Sequence, residues 1–331
     1  MVKKYFFVIT LFLGILLFKI DQTWSYMGMV TGSKTGTYYQ FGQDIADLGK
    51  MHGMNILVKE SKGSLDNIER MQSRENAAFG IVQSDVLGIL YLRKPQVAKQ
   101  LVMIYPFYNE EVHILAQKHI KSLLDLNQKT IATGTKGSGN WLTTAYLLHK
   151  MHIKPAMKIM DLEPLDALIH VLEGKIDAMI YVGGKPIALF SKMEVLYTRA
   201  KYKPLIDNVH FIPLNHPEKL QEYYVPSEIG PLDYSWVKER VATIAVKALL
   251  VSFDFSGSRS PYYKKRCQQL RRLSTIIEDN LSLLKKEGHK KWKEVNLDVK
   301  LGKWKLDPCS HTMSQEDHNS SLYEELKDMF E

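Results

Sequence analysis

Met27-Gly28-Met29-Val30-Thr31-Gly32-Ser33-Lys34-Thr35-Gly36-Thr37-Tyr38-Tyr39 is the stretch whose reading decides the fold. A short apolar run enters a polar, glycine-rich cluster and then opens a helical pattern through Phe41, Ile45 and Leu48. The same grammar recurs at Gly63-Ser64, Gln83-Ser84-Asp85, Gly137-Ser138-Gly139-Asn140 and Gly183-Gly184-Lys185-Pro186. A helix start presents unpaired N–H groups and a partial positive charge. Several starts converging therefore form a pocket for a small anionic or zwitterionic ligand.

Outward from these junctions, strands alternate with helices. Asn55–Lys59 and Ala77–Val82 read as strands, and Ser64–Gln72 and Asp85–Leu92 as helices. Val102–Tyr105 and Val112–Ala116 read as two further strands, with Glu110 and Glu111 solvated in the loop between them. A second unit follows, with strands at Thr130–Thr133, Ala156–Met160, Ala178–Val182 and Val209–Pro213. Its helices are Trp141–Met151 and Pro164–Glu173, with a further start at Pro186. Val241–Ser252 is dense in β-branched residues and suits a buried strand, and Tyr262–Leu284 carries a helical apolar stripe. This alternation predicts an α/β fold with parallel sheets. The expected organisation is lobe I over 26–115 and 212–305, lobe II over 116–211, and an acidic, disordered tail over 306–331. In open parallel sheets a ligand sits beyond the carboxyl ends of the strands, where all five junctions lie.

The 331 residues are 45% apolar, enough for two globular units, and carry a formal charge of +8. That balance suits an anionic membrane surface or an acidic partner. Nucleic acid is the weaker match, because the chain has no RNP-like run, zinc-finger spacing or arginine-rich arm. Lys3 and Lys4 precede the apolar run Tyr5–Phe18, which Lys19 and Asp21 end, so residues 1–25 have the layout of a secretory signal. Thr23 and Ser25 favour cleavage before Tyr26, and retention as an anchor is the alternative. Either way the body is exported, and contact with the membrane runs through this segment alone if it stays. Cys267 and Cys309 are the only cysteines; their distance in sequence favours two free thiols.

Signals for catalysis are poor. Gly32–Gly36 fails the phosphate-loop pattern because Thr37 follows Gly36 where a lysine is needed, and Gly134–Gly139 has the wrong spacing for a dinucleotide fingerprint. Neither zinc-protease nor serine-hydrolase motifs occur, and no cofactor or metal is expected. Scattered histidines such as His113 and His170 read as surface or satisfied core residues. The basic segment Lys285–Lys305 reads as a solvated face. Each Gly-Ser or Ser-Asp junction has a plain alternative as a helix cap. The sharper clue is Tyr38-Tyr39, where one ring can enter the core and the other can offer its hydroxyl to a cleft.

These motifs together resemble the TAXI-type solute-binding proteins of TRAP transporters. Gly32-Ser33-Lys34-Thr35-Gly36-Thr37-Tyr38-Tyr39-Gln40-Phe41-Gly42 matches the family's opening block, with Ser33 in place of a glycine. Gly63-Ser64-x-x-Asn67, Gly80–Asp85, Gly137–Gly139, Gly183–Pro186 and Tyr224-Val225-Pro226 follow in order, so the likeness spans about Met27 to Phe255. Asn140 stands where members usually carry threonine, and the family's closing block is replaced by Lys303–Cys309 and the tail. The resemblance implies a two-lobed periplasmic-binding-protein fold, type II-like, with two sheets joined by hinge strands around a cleft. It also implies a periplasmic, monomeric, non-enzymatic protein that binds an amino acid such as glutamate, or a small carboxylate. Lobe closure would then deliver the solute to TRAP membrane subunits. The expected ligand contacts are Gly36, Tyr38, Tyr39, Ser64, Gln83, Ser84 and Asp85 from lobe I, and Ser138, Gly139, Asn140, Gly183 and Gly184 from lobe II. Backbone N–H groups of Gly139 and Asn140 would hold a carboxylate, and Asp85 an amine unless it only caps its helix. The rival readings are a membrane-anchored solute sensor and a thiamine-precursor synthase-like enzyme on the same fold.

Overall fold

The computed structural model describes residues 26–73, 77–215, 220–299, 301 and 304–311. The expected signal (1–25) and the tail from 312 onward lie outside them. The chain opens β1 (Tyr26–Val30), α1 (Thr37–Met51), β2 (Asn55–Lys59), α2 (Ser64–Gln72), β3 (Phe79–Gln83) and α3 (Ser84–Arg93). A short α4 (Pro95–Ala98) leads into the long strand β4 (Leu101–Gln117). Then come β5 (Thr130–Ala132), α5 (Gly139–Lys150), β6 (Met157–Ile159), α6 (Pro164–Leu172) and β7 (Ala178–Gly183). Next are α7 (Ala188–Tyr197), α8 (Lys203–Asp207), β8 (Val209–Phe211) and β9 (Val225–Ile229). The last elements are β10 (Val241–Phe253), α9 (Pro261–Asp279) and α10 (Leu281–Glu287). Among the described residues no helix is long and apolar enough to cross a membrane.

One continuous ten-stranded sheet runs β2-β1-β3-β10-β4-β7-β5-β6, with β8 added to β4 and β9 to β10. Strands β1, β2 and β3 are mutually parallel, as are β5, β6 and β7. The two long strands β4 and β10 run antiparallel to each other and join these two parallel sets. Each set has helices on both faces, and strand alternation assigns the faces. Met29 and Ile81 point to a core with Phe41, Ile45, Leu270 and Leu273, while Val30 and Val82 point to one with Ile68, Met71, Val86 and Leu90. In the second set Ile131 and Ile180 face Leu147 and Leu148 of α5, whereas Ala132 and Met179 face Leu168, Val171 and Phe190.

Five expectations change here. Two sheets were expected, but the length of β4 and β10 makes one. Residues 102–105 and 112–116 belong to a single strand, so Glu110 and Glu111 sit in its middle and are buried, not in a solvated loop. The pairing explains it: Glu110 is opposite Val246, and Glu111 is opposite Ala245 on one side and Gly183 on the other. The strand passes from one half of the molecule to the other at this point. The cysteines are not free: Cys267 and Cys309 form a disulfide with a Cα–Cα distance of 5.0 Å.

The fourth change is at the C-terminus. Residues 306–311, expected at the head of the acidic tail, pack as a strap along the free edge of β4. Leu306 bridges Met103, Asp307 N–H donates to Met103 O (2.8 Å), and the His311 ring contacts Ile104 O at 2.7 Å. The basic segment is only partly a solvated face. Lys291 and Trp292 are fully buried in the turn Lys290–Glu294, where Trp292 stacks on Phe41 at 4.3 Å between ring centroids.

Candidate functional site

The five junctions are the ends of β1, β2, β3, β5 and β7, and those after β1 and β7 reach the Tyr108–Glu111 stretch of β4. Tyr38, in the first turn of α1, is buried and its hydroxyl donates to Glu110 Oε2 (2.7 Å). Tyr39 beside it stays half-buried. Gly36 is the N-cap of α1; its own N–H closes a turn onto Ser33 O (2.8 Å).

At the second and third junctions the side chains meet each other. Ser64 Oγ accepts from Gln83 N–H at 3.1 Å and lies 3.5 Å from Gln83 Oε1. Ser84 Oγ accepts from Lys247 N–H of β10 (3.1 Å). Neither hydroxyl caps its helix. Gly63 precedes α2 with φ +108°, a conformation open to glycine, and its missing side chain would point at Gly139 N, 3.7 Å away.

That contact brings the second half of the molecule to the first. A Cβ on Gly139 would lie 1.8 Å from Gln83 Oε1 and 2.6 Å from Ser64 Oγ, so only glycine lets α5 approach this closely. Ser138 is a true cap, accepting from Trp141 N–H (3.0 Å). Asn140 is held within its own half: its amide donates to Ile180 O (3.1 Å) and accepts from Val182 N–H (2.9 Å). One turn on, Thr143 donates to Asp85 Oδ2 at 2.5 Å, and Tyr224 donates to the same oxygen at 2.8 Å. Val86 N–H donates to Asp85 Oδ1 (2.8 Å), so this buried carboxylate already accepts three hydrogen bonds. Burial pushes its pKa up, against the pull of those three donors.

The last junction closes on β4 from the other side. Gly183 pairs with Glu111 in register, and a Cβ on Gly184 would lie 2.8 Å from Lys291 Cε and 3.0 Å from the Tyr108 ring. Lys185 N–H donates to Glu111 Oε2 (2.9 Å). Lys291 Nζ lies 3.5 Å from Glu111 Oε2 and 2.7 Å from Glu294 Oε1, and donates to Asn109 O at 3.2 Å. Among the described residues, the buried Tyr108 hydroxyl and Asn109 Oδ1 have no hydrogen-bond partner.

Of the predicted site residues, Tyr38, Gly183 and Gly184 reach the Tyr108–Glu111 stretch, Ser64, Gln83 and Gly139 meet one another, and Asp85 meets Thr143 and Tyr224. Tyr108, Glu110, Glu111, Thr143 and Lys291, which bring these groups together, are not among the residues the sequence points to. The signal for the two glutamates was present: paired acids inside an otherwise apolar run are costly unless they have partners. A groove of about 740 Å³ beside the strap, lined by Met103, Tyr105, Leu281, Lys285, Trp304 and His311, contains none of the junction residues. Among the described residues no group of three or more His, Cys, Asp and Glu side chains is placed to hold a metal ion.

Burial pushes Glu110 up to about 8; the Tyr38 hydrogen bond pulls down, and Asp85 and Glu111 push up further. The folded state keeps a proton here that the unfolded chain loses above pH 4.5, so stability falls as pH rises from 4.5 to about 8. His113 works the other way. Burial holds it down to about 3, and its Nε2 lies 2.9 Å from the Tyr234 hydroxyl. The unfolded chain takes up that proton below pH 6.5, so stability also falls as pH drops below 6.5. The two slopes oppose each other between 4.5 and 6.5. Calorimetric melts should therefore be highest in that window and decline on both sides. Glu110→Gln should flatten the limb above pH 6.5 and leave the acid limb. An unchanged alkaline limb would refute the assignment.

Comparison with solved structures shows a two-lobed periplasmic-binding-protein fold. Tv2483 bound to L-arginine matches with a TM-score of 0.50 at 12% identity, covering 85% of this chain and 96% of that one. The GluR0 ligand-binding core from Nostoc punctiforme in complex with L-glutamate gives a TM-score of 0.43 at 17% identity, over 78% and 98% of the two chains. A sulfonate-binding protein of Methylobacillus flagellatus KT gives 0.44 at 13% identity, over 79% and 69%. The NMT1-like family model matches residues 29–256, more than half of the chain and all five junctions, and the protein belongs to that family.

Proposed function

We propose that this protein is an extracytoplasmic solute-binding protein that closes its two halves around an amino acid or small carboxylate. The observation that carries this reading is the approach of Gly139 to Ser64 and Gln83, which joins a helix start of one half to two junctions of the other. Contacts made to both halves at once favour the closed state, and only such differential affinity shifts the population. Tyr39, Ser64, Gln83 and the N–H groups of Gly139 and Asn140 are the groups proposed to meet the solute. Family membership and a disulfide suited to an oxidising compartment support the reading. The sequence blocks of the TAXI type further support delivery to TRAP membrane subunits by a monomeric, non-enzymatic, periplasmic protein.

The test is a thermal-shift screen of residues 26–331, refolded to remove carried-over solute, against the twenty amino acids, dicarboxylates and polyamines. A compound at 100 times its Kd should add about 2.7 kcal/mol of stability. Gly139→Ala inserts a methyl between the halves, an overpacking worth about 1–3 kcal/mol where they meet. It should weaken binding by about 5- to 150-fold. If no compound shifts the wild-type melt, the reading fails.

A further inference from the structure

We propose that Glu110 is the receptor for a cationic group on the bound solute, so that the cognate solutes are amines, amino acids among them, and not simple carboxylates. The inference rests on the solute-binding reading above and adds the ligand's charge. It starts from an imbalance at the centre of the site. The charged groups that act on Glu110 are Asp85 and Glu111, which oppose its ionisation, and Lys291, which favours it. Lys291 is already engaged by Glu111, Glu294 and Asn109 O. Asp85 is engaged by Thr143, Tyr224 and Val86. Lys247, half-buried on β10, acts on Glu294, Lys291 and Glu111 instead. Among the described residues Glu110 has one hydrogen-bond donor, Tyr38, and that donor serves Oε2.

A second observation is independent of the acids. The Tyr108 hydroxyl is buried and lacks any partner among the described residues, and of the charged groups acting on it Glu110 is the strongest. A buried hydroxyl without a partner costs about 1–3 kcal/mol, so such groups call for something that completes them. An ammonium has three donors and no acceptor, which is what an acid and an unpartnered hydroxyl oxygen both take. A carboxylate placed there would face the Glu110 acid. The start of α5, offering N–H groups at Gly139 and Asn140, suits the opposite end of a zwitterion.

Burial keeps the Glu110 carboxyl raised to about 8, so at pH 7 it is mostly protonated. An arriving ammonium favours the carboxylate, and the proton leaves to solvent. Calorimetry at pH 7 in two buffers of different ionisation enthalpy should then show a proton released on binding. The probes are L-glutamate with its amine-free analogue glutarate, and L-ornithine and putrescine, together with any hit of the thermal-shift screen and its amine-free analogue. Amine probes should bind and their amine-free analogues should not. Glu110→Gln should weaken the amine probes by at least about 30-fold and abolish proton release, the cost of losing a charged partner. Tyr108→Phe should leave the solute-free melt unchanged or higher, since it removes an unpartnered hydroxyl, yet weaken the amine probes by about 5- to 10-fold. A purely structural tyrosine would show no such split. Glutarate binding equally to wild type and Glu110→Gln would overturn the inference and leave the solute-binding reading standing. So would amine binding unaffected by Glu110→Gln. If no compound binds the wild type, both readings fall together.

Discussion

Lys291→Met is expected to destabilise the protein by about 3–5 kcal/mol, the cost of removing one partner from a buried ion pair. Lys291 is 2% exposed, and its ammonium serves three oxygen partners in a region of low dielectric. Glu294 is half-exposed and can turn to water when the cation goes. Glu111 cannot: it is buried, and would keep only the Lys185 N–H. Burial already pushes its pKa up, and loss of the ammonium pushes it further. The double variant Lys291→Met/Glu111→Gln should recover a large part of the loss, because the orphaned charge is gone. Urea unfolding monitored by tryptophan fluorescence would read the change as a shift in midpoint with an unchanged slope. An exposed pair such as Arg240–Glu228 provides the contrast, since its removal should cost no more than about 1 kcal/mol. A Lys291→Met loss below about 1 kcal/mol would show that the pair is solvated after all.

The same residues show why part of the site was legible in the sequence and part was not. A strand-to-helix junction is local. Gly36 before Tyr38-Tyr39 and Gly63 before Ser64 place turn chemistry and helix start within a few residues, so all five junctions could be read from short windows. Glu110 and Glu111 are local too, but their meaning is not. In isolation, two acids after Asn109 look like a break between strands. They stay inside β4 only because Tyr38 approaches one of them, and Gly183 and Lys291 the other. Lys291 lies far along the chain in a lysine-rich run, where most charges are solvated. Nothing in its window separates it from Lys290 or Lys293. Asp85 reads locally as a helix-start acid, and it does accept from Val86 N–H. Its bonds to Thr143 and Tyr224 depend on the docking of the second half.

Opening the Cys267–Cys309 disulfide is the other change with a large expected effect. The bond joins α9 to the strap across 42 residues of sequence. Loop-closure entropy for a ring of that size amounts to about 4 kcal/mol at 25 °C, an upper figure if the unfolded chain keeps structure. The strap touches β4 through the Met103–Leu306 bridge and the Asp307 and His311 contacts, and α9 through Arg271 Nε and Ser274 Oγ, which donate to Cys309 O at 3.3 Å and Ser310 O at 3.2 Å. An edge segment held by its covalent tie and a short set of hydrogen bonds opens locally before the whole protein unfolds. Release would bare the edge of β4 at 101–106, an unpaired strand edge of the kind that recruits other chains. Reduction, or Cys267→Ala/Cys309→Ala, should therefore lower stability by about 2–4 kcal/mol. Amide exchange should rise first at 101–106 and 304–311 while α5 and β7 stay protected, and light scattering on heating should begin earlier. The Glu110 centre lies where β4 pairs with β7, beyond the residues the strap covers, so solute affinity should survive reduction at temperatures well below the melt. Equal melts for oxidised and reduced protein would mean that the strap holds β4 without its covalent tie.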